Sequence, residues 1–435
     1  MRDPVALPDH HDGAMWLHRA RCAIGPRKNP LASIRVVDGL LTHVVVDGLL
    51  PSGLEQTHVD LDGFLVLPGF INAHDHLQFS LFPKLANPPY RNYIDWGEDI
   101  HLTFPDVIAK HKSVSKDIRL WWGGIRNLLC GVTTVCHHDA QWPELQKQEF
   151  PVKVMQNFGW AHSLILGGDL VKARSATPPG SVFVMHACEG IDDRSREELF
   201  ELDRLGLLDA NTILVHGLAI DHSGIALIQQ RRASLIMCPS SNQFLFEELP
   251  KITTFEANGN ICVGSDSPLT ATGDLLDEIR FAMTYCKVTP DLAYRMLTEA
   301  PAAILRLREG EGTIRASGPA DLIALRDTGQ DAADRLHTLS LADVEFVMIR
   351  GRVQLASPEI LERLSVPLRQ GLEPLWINGT IRWLRAPVNE LLRNTEAILG
   401  SGEVRLGGKP IRRVIWAEAE DRNGAAKQTC LSASI

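Results

Sequence analysis

Leu67-Pro68-Gly69-Phe70-Ile71-Asn72-Ala73-His74-Asp75-His76 is the stretch whose reading decides the fold. An apolar, strand-like run ends in two histidines spaced i, i+2. Side chains alternate along a strand, so this spacing turns both imidazoles to the same side. Two neutral imidazoles converging at a strand end can chelate a divalent metal. An isolated H-x-H is more often an ordinary polar strand exit, so the rest of the chain has to decide.

Working outward, strand-like runs recur at Val132 to Cys136, Val152 to Phe158, Val182 to Ala187, Thr212 to His216, Leu235 to Cys238 and Ile261 to Val263. Helical patterns fall between several of them, as at Arg194 to Leu205 and Gly224 to Gln230. A longer helical pattern runs from about Asp106 to Leu129 and stops at Gly131. Strands alternating with helices predict a parallel sheet with βα connections. The opening run included, seven strands are legible. The fold class expected is α/β, a (β/α)8 TIM-type barrel over residues 65–318, shortened between strands 2 and 5. The poorly marked unit is expected between Trp160 and Gly180. In such barrels reactive groups sit at the C-terminal strand ends. The runs here end in His74 and His76, in His186 with Glu189 three residues on, in His216, and in Ser265-Asp266. That ordered set turns the opening H-x-H into a candidate metal site.

Before the barrel, Ala32 to Val37, Asp38-Gly39 and Leu40 to Val46 read as a hairpin with a tight turn, and a second Asp-Gly follows at Asp47-Gly48. Phe79 to Trp96 reads as loop. Asp274 to Leu307 is helical in pattern. Strand patterns return at Gly318 to Leu325, and Val344 to Arg350 with Arg352 to Leu355 form a further hairpin. Residues 1–64 and 319–357 are therefore expected to build one small β-domain. Residues 358–435 form a mixed extension, helical near Trp383 to Leu399, with a loosely ordered tail from Asn423 to Ile435.

The bulk numbers exclude several classes. The chain has 435 residues, 45% of them hydrophobic, enough for one large barrel and a smaller domain. Its 44 basic and 53 acidic residues leave a net charge of −9, which argues against nucleic-acid or acidic-membrane partners. The eight cysteines form no C-x-x-C pair, and several sit in apolar runs, which fits a reducing cytoplasm. No apolar segment at Met1-Arg2-Asp3-Pro4 suggests a signal peptide, and no run reaches the length of a membrane span.

The order H-x-H, H-x-x-E, H and S-D resembles the amidohydrolase superfamily, in particular its mononuclear deaminase and chlorohydrolase branch. That branch includes cytosine, guanine and S-adenosylhomocysteine deaminases and the triazine hydrolases. Cys238-Pro239-Ser240-Ser241-Asn242 resembles the family's C-P-x-S-N, and Gly318 to Leu325 its G-x-x-A-D-L return segment. The resemblance implies that His74, His76, His186 and Asp266 hold one divalent metal, Zn²⁺ or Fe²⁺. It makes Asp266 the acceptor of a proton from the attacking water. Glu189 becomes the proton shuttle to a substrate ring nitrogen, and His216 the group that holds the attacking or tetrahedral oxygen. The implied activity is hydrolysis of a C–N bond of a small nitrogen heterocycle, with deamination foremost. Dechlorination, N-dealkylation and cyclic-amide hydrolysis by the same site are the alternatives, and a catalytically silent scaffold is the alternative of another class. The expected partner is a small heterocyclic molecule, with no nucleic acid and no membrane; a homo-oligomer is compatible with it.

Binuclear branches of the superfamily commonly carry a carbamylated lysine at the fourth strand. Lys153 starts a run rather than ending one, so one metal is expected, with Lys172 standing as the alternative bridging lysine. The family's H-x-P-Y segment is not recognisable, although His162 falls nearby. Cys136-His137-His138-Asp139 follows a barrel strand, so His137 or His138 is a candidate substrate contact or further ligand. Gln78, Trp142 and Asn242 are further substrate-contact candidates, whereas Trp121-Trp122 on a helix reads as packing.

Overall fold

The computed structural model describes residues 14–47, 57–251, 260–271, 273–414, 416–420 and 426–430. The N-terminal residues, Gly48 of the second Asp-Gly and most of the tail lie outside them. Within the tail, the strand Ala426–Cys430 pairs with Trp416–Glu420. No helix among the described residues is long and apolar enough to cross a membrane.

Eight parallel strands fall in two sheets. Phe70–Asp75, Val132–His137 and Lys153–Val154 form the first. Gly159–Trp160, Phe183–Ala187, Thr212–His216, Ser234–Met237 and Ile261–Val263 form the second. A parallel bridge between Asp75 and Asp266 joins the first strand to the exit of the last. Among the described residues no ladder joins Lys153–Val154 to Gly159–Trp160. The strand missing from the sequence reading is thus Gly159–Trp160, just ahead of the window where it is expected. Only residues 155–158 separate it from the strand before, with no helix between, so the two read as one run.

Alternation sorts these strands into two faces. Ile71, Ala73, Cys136, Val184, Ile213, Val215, Ile236, Cys238 and Cys262 pack together on one face. Phe70, Val132, Phe183, Met185, Leu214, Leu235 and Val263 pack on the other, against the helices. Those helices start where sequence provides caps: Asp192 accepts from Ser195 N–H at 2.9 Å, and Asp221 from Gly224 N–H at 2.9 Å. The pattern read as one helix from Asp106 is two, Pro105–Lys112 and Lys116–Leu129, the second capped by Ser115. The region read as loop holds a further helix, Tyr93–Thr103. Asn92 caps it by accepting from Ile94 N–H and Asp95 N–H. Trp122 is packing, as expected: it is buried, and its indole donates to Thr395 Oγ1 at 2.9 Å.

The N- and C-terminal segments share one 12-stranded sheet. Leu31–Val37 and Leu40–Val46 form the expected hairpin at one edge. Phe64–Pro68, the lead-in to the metal motif, lies between Met15–Cys22 and the returning strand Leu322–Arg326. Val344–Ile349 and Arg352–Ala356 follow as the second hairpin. The extension continues the same sheet through Glu373–Ile377, Thr380–Leu384 and Lys409–Arg413. Trp383 is therefore in a strand, and the helix of the extension is Val388–Leu399.

Candidate metal centre

The first strand brings its histidines to the site by means of a bulge. Opposite Val132–His137, Asn72 pairs with Val135 and Asp75 with His137, so three steps on one strand match two on the other. Such an extra residue re-aims side chains beside active sites. Ala73 keeps to the inner apolar face, His74 and His76 turn into the site, and Asp75 turns back toward the helix Lys116–Leu129. His216 needs a comparable device. Ile213 and Val215 face inward, so strict alternation would point His216 outward. Its φ of 74° breaks that alternation. Asp266, at φ 50°, leaves its strand in the same left-handed region. Such conformations in non-glycine residues cluster at functional sites.

The ligand candidates converge. His186 Nε2 lies 3.3 Å from His74 Nε2 and 3.3 Å from His76 Nε2. Asp266 Oδ1 lies 3.7 Å from His74 Nε2 and 3.8 Å from His76 Nε2. Three nitrogens and one carboxylate oxygen thus face one point, the donor set that suits Zn²⁺ or Fe²⁺. His138 stands with the three histidines, its ring stacked on His186 at 4.3 Å between centroids. Burial and the neighbouring rings hold His76 and His186 well below the usual histidine range. Neutral imidazoles are what a metal requires. Burial alone would push Asp266 up. The imidazoles of His74, His216 and His76 set around the carboxylate outweigh it and hold the carboxyl far below the usual range. Neither lysine considered for a second metal is here. Lys153 pairs with Glu311 at 2.5 Å, and Lys172 is exposed on a separate helix.

Glu189 and His216 stand beside the donors, with Glu189 Oε1 3.5 Å from His216 Nε2. Burial, then the charges of Asp266 and Glu198, raise the Glu189 carboxyl well above its ordinary range. Burial pushes His216 down to about 4. Asn242 Oδ1 accepts from His216 Nδ1–H at 3.0 Å, leaving Nε2 toward Glu189.

A cavity of about 240 Å³ opens on this point. Its floor includes His76, His186, Glu189, His216 and Asp266; its walls include Phe79, Phe82, Leu85, Trp96, Ile100, Ile108 and Leu269. Trp96 Nε1–H is spent on Leu85 O at 2.9 Å, so that wall is apolar in effect as well as in composition. The remaining substrate-contact candidates are placed elsewhere. Gln78 is buried, with its backbone carbonyl accepting from Arg119. His137 is buried against Leu77 N–H, and the Trp142 indole donates to Asp117. None of the three lines the cavity, and Asn242 reaches it only through His216.

A second layer escaped the sequence reading. Asp75 is fully buried and pairs with Arg126 Nη2 at 2.7 Å. Asn127 donates to Asp75 Oδ2 at 2.7 Å and Asn72 at 3.1 Å. Arg126 also donates to the carbonyls of Asp266 and Gly273. One guanidinium thus ties the H-x-H strand to the strand end bearing Asp266. Gly123 lets that helix close in, since a Cβ there would lie 2.4 Å from Leu77 O. The legible signal is Asp75 itself, a charge between two ligands in an apolar run.

Helices and parallel strands with three histidines and one carboxylate converging at their exits fit a metal-dependent hydrolase. The chain belongs to the amidohydrolase family: the Amidohydrolase family model matches residues 179–354. A 5'-deoxyadenosine deaminase of Methanoregula boonei is 30% identical over 365 residues, 69% of this chain and 82% of that protein. A 5-methylthioadenosine/S-adenosylhomocysteine deaminase of Moorella thermoacetica is 23% identical over 406 residues, covering 78% and 94%. The fold is shared with a zinc-complexed atrazine chlorohydrolase from Arthrobacter aurescens, with a TM-score of 0.67, 15% identity and coverage of 88% and 99%.

Proposed function

We propose that the chain is a mononuclear metal-dependent aminohydrolase that removes an exocyclic amino group from a small nitrogen heterocycle. The observation that carries this is the convergence of His74, His76, His186 and Asp266 on one point, with Glu189 and His216 beside it at the floor of a cavity. On this reading the eight parallel strands are one (β/α)8 barrel over residues 65–318 with an abbreviated link between its third and fourth strands. Residues up to 64 and 319–357 are the composite β-sandwich, and the extension from 358 adds strands to its sheet.

His74, His76, His186 and Asp266 would hold the ion. Bound there, a divalent cation would bring the pKa of a water molecule to ~7, making it a nucleophile at neutral pH. Asp266 accepts the proton that the attacking water loses. Glu189, whose buried carboxyl favours the protonated form, delivers a proton to the ring nitrogen next to the carbon under attack. His216, its Nδ1–H held by Asn242, turns a bare Nε2 that accepts from the attacking water and orients its oxygen. The walls made by Phe79, Phe82 and Trp96 take the flat ring and exclude water.

Those apolar walls also favour a second reading on the same floor: release of halide or an alkylamine from an apolar-substituted ring. One screen separates the two. Aminated purines, pyrimidines, pterins and triazines, with adenine nucleosides among them, are assayed for ammonia, and halogenated and alkylamino rings for halide and amine. Ammonia release from at least one aminated ring is expected. Release of halide or alkylamine alone would replace deamination by the second reading. No turnover on any ring with metal bound would favour a silent scaffold.

A further inference from the structure

Two carbonyls just beyond the strand Gly159–Trp160 govern ligand histidines, one directly and one at a distance. His162 O accepts from His186 Nδ1–H at 2.8 Å, so that ring's Nε2 is bare toward the centre. Ala161 O lies 2.9 Å from His138 Nε2. A carbonyl oxygen only accepts, so His138 Nε2 carries a proton, and in the neutral ring Nδ1 is bare. That bare Nδ1 lies 3.2 Å from His74 Nδ1. Two bare nitrogens cannot bond, so the proton between them belongs to His74 Nδ1. His74 Nε2 is then the bare nitrogen, and it is the one facing His186 Nε2.

We propose that His138 is a positioning residue that sets the tautomer of His74, relaying the acceptor at Ala161 O to the nitrogen that meets the metal. The proposal rests on the metal-centre reading above. Both His138 nitrogens are occupied, one by Ala161 and one by His74, so His138 serves the centre through its neighbour rather than as a ligand. Its ring is packed between two aromatic neighbours. It stacks on His186 at 4.3 Å and meets the edge of Trp160 at 5.6 Å and 90°. His186 takes its carbonyl directly, whereas His74 is linked to Ala161 O through His138. The abbreviated link ahead of Gly159–Trp160 brings both carbonyls in from one short segment.

The test uses the full chain stripped of metal and titrated with zinc against a competing chelator. His138→Gln offers one acceptor and one donor on a flat group, and is expected to keep affinity close to that of the wild type. His138→Leu fills the space without hydrogen bonds and is expected to bind zinc ~10–100-fold more weakly. Histidine-selective ¹⁵N spectra of the zinc-free chain give the second readout. They are expected to show His74 protonated at Nδ1 in the wild type and in His138→Gln, and a tautomer mixture in His138→Leu. Full zinc affinity in His138→Leu, equal losses in both variants, or an Nε2-protonated His74 in the wild type would each overturn the relay alone. A wild-type chain that takes up no zinc would overturn the metal centre and the relay with it. Should His138→Leu fail to fold, His138→Phe takes its place, and the wild-type spectrum and the His138→Gln titration still decide.

Discussion

Glu189→Gln is expected to lower kcat on the substrate found by the screen by ~10²–10⁴-fold, the usual contribution of a positioned general acid or base. The substitution keeps the shape and removes only the capacity to carry a proton. Glu189 follows His186 by three residues and sits 3.5 Å from His216 Nε2, on the floor of the cavity. It is not one of the four groups that face the common point, so metal content should stay at the wild-type level. Thermal stability should hold or rise, because burial already opposes the charged form of this carboxyl. Steady-state kinetics with metal analysis on the same preparation checks this. Near-normal turnover would make Glu189 a bystander and remove the proton delivery on which deamination depends.

The second large effect is on stability. Arg126→Met is expected to destabilise the metal-free chain by about 3–5 kcal/mol, the cost of leaving the other member of a buried ion pair uncompensated. Asp75 is fully buried and Arg126 almost so. The amides of Asn72 and Asn127 would still donate to Asp75, but they bring no charge. The variant also loses the donations to the Asp266 and Gly273 carbonyls that hold the Asp266 strand end against the H-x-H strand. Adding Asp75→Asn to Arg126→Met should restore part of the loss, since no unpaired charge then remains. Urea unfolding of the wild type, the single variant and the double variant measures both. A single-variant loss below about 1 kcal/mol, the range of exposed pairs, would show that the pair does not carry the junction.

The candidate centre was legible because its ligands stand at the ends of apolar runs, where a histidine or aspartate is conspicuous. His74, His76, His186, Glu189, His216 and Asp266 come together in the structure as their positions on successive strands suggest. What was not legible is short or indirect. Gly159–Trp160 is two residues long and has no helix before it, so periodicity has nothing to register. Part of the cavity wall, Trp96 and Ile100, comes from a helix, Tyr93–Thr103, that begins in a stretch rich in proline and aromatics, and Asn92 was its one readable cap. Gln78 and Trp142 follow strand ends as pocket residues do, yet Gln78 is buried outside the cavity lining and Trp142 turns toward Asp117. The bulge at Asn72–Asp75 and the left-handed turn at His216 re-aim side chains that a strict alternation would misplace. Neither can be read from residue type.

The centre is expected to hold one metal at one point. Elemental analysis of the purified full chain, paired with anomalous diffraction at the zinc and iron edges, tests it most directly. One zinc or iron per chain, with its anomalous peak between His74, His76, His186 and Asp266, is the predicted result. Two fully occupied peaks a few ångströms apart, or a single peak held by other residues, would contradict it.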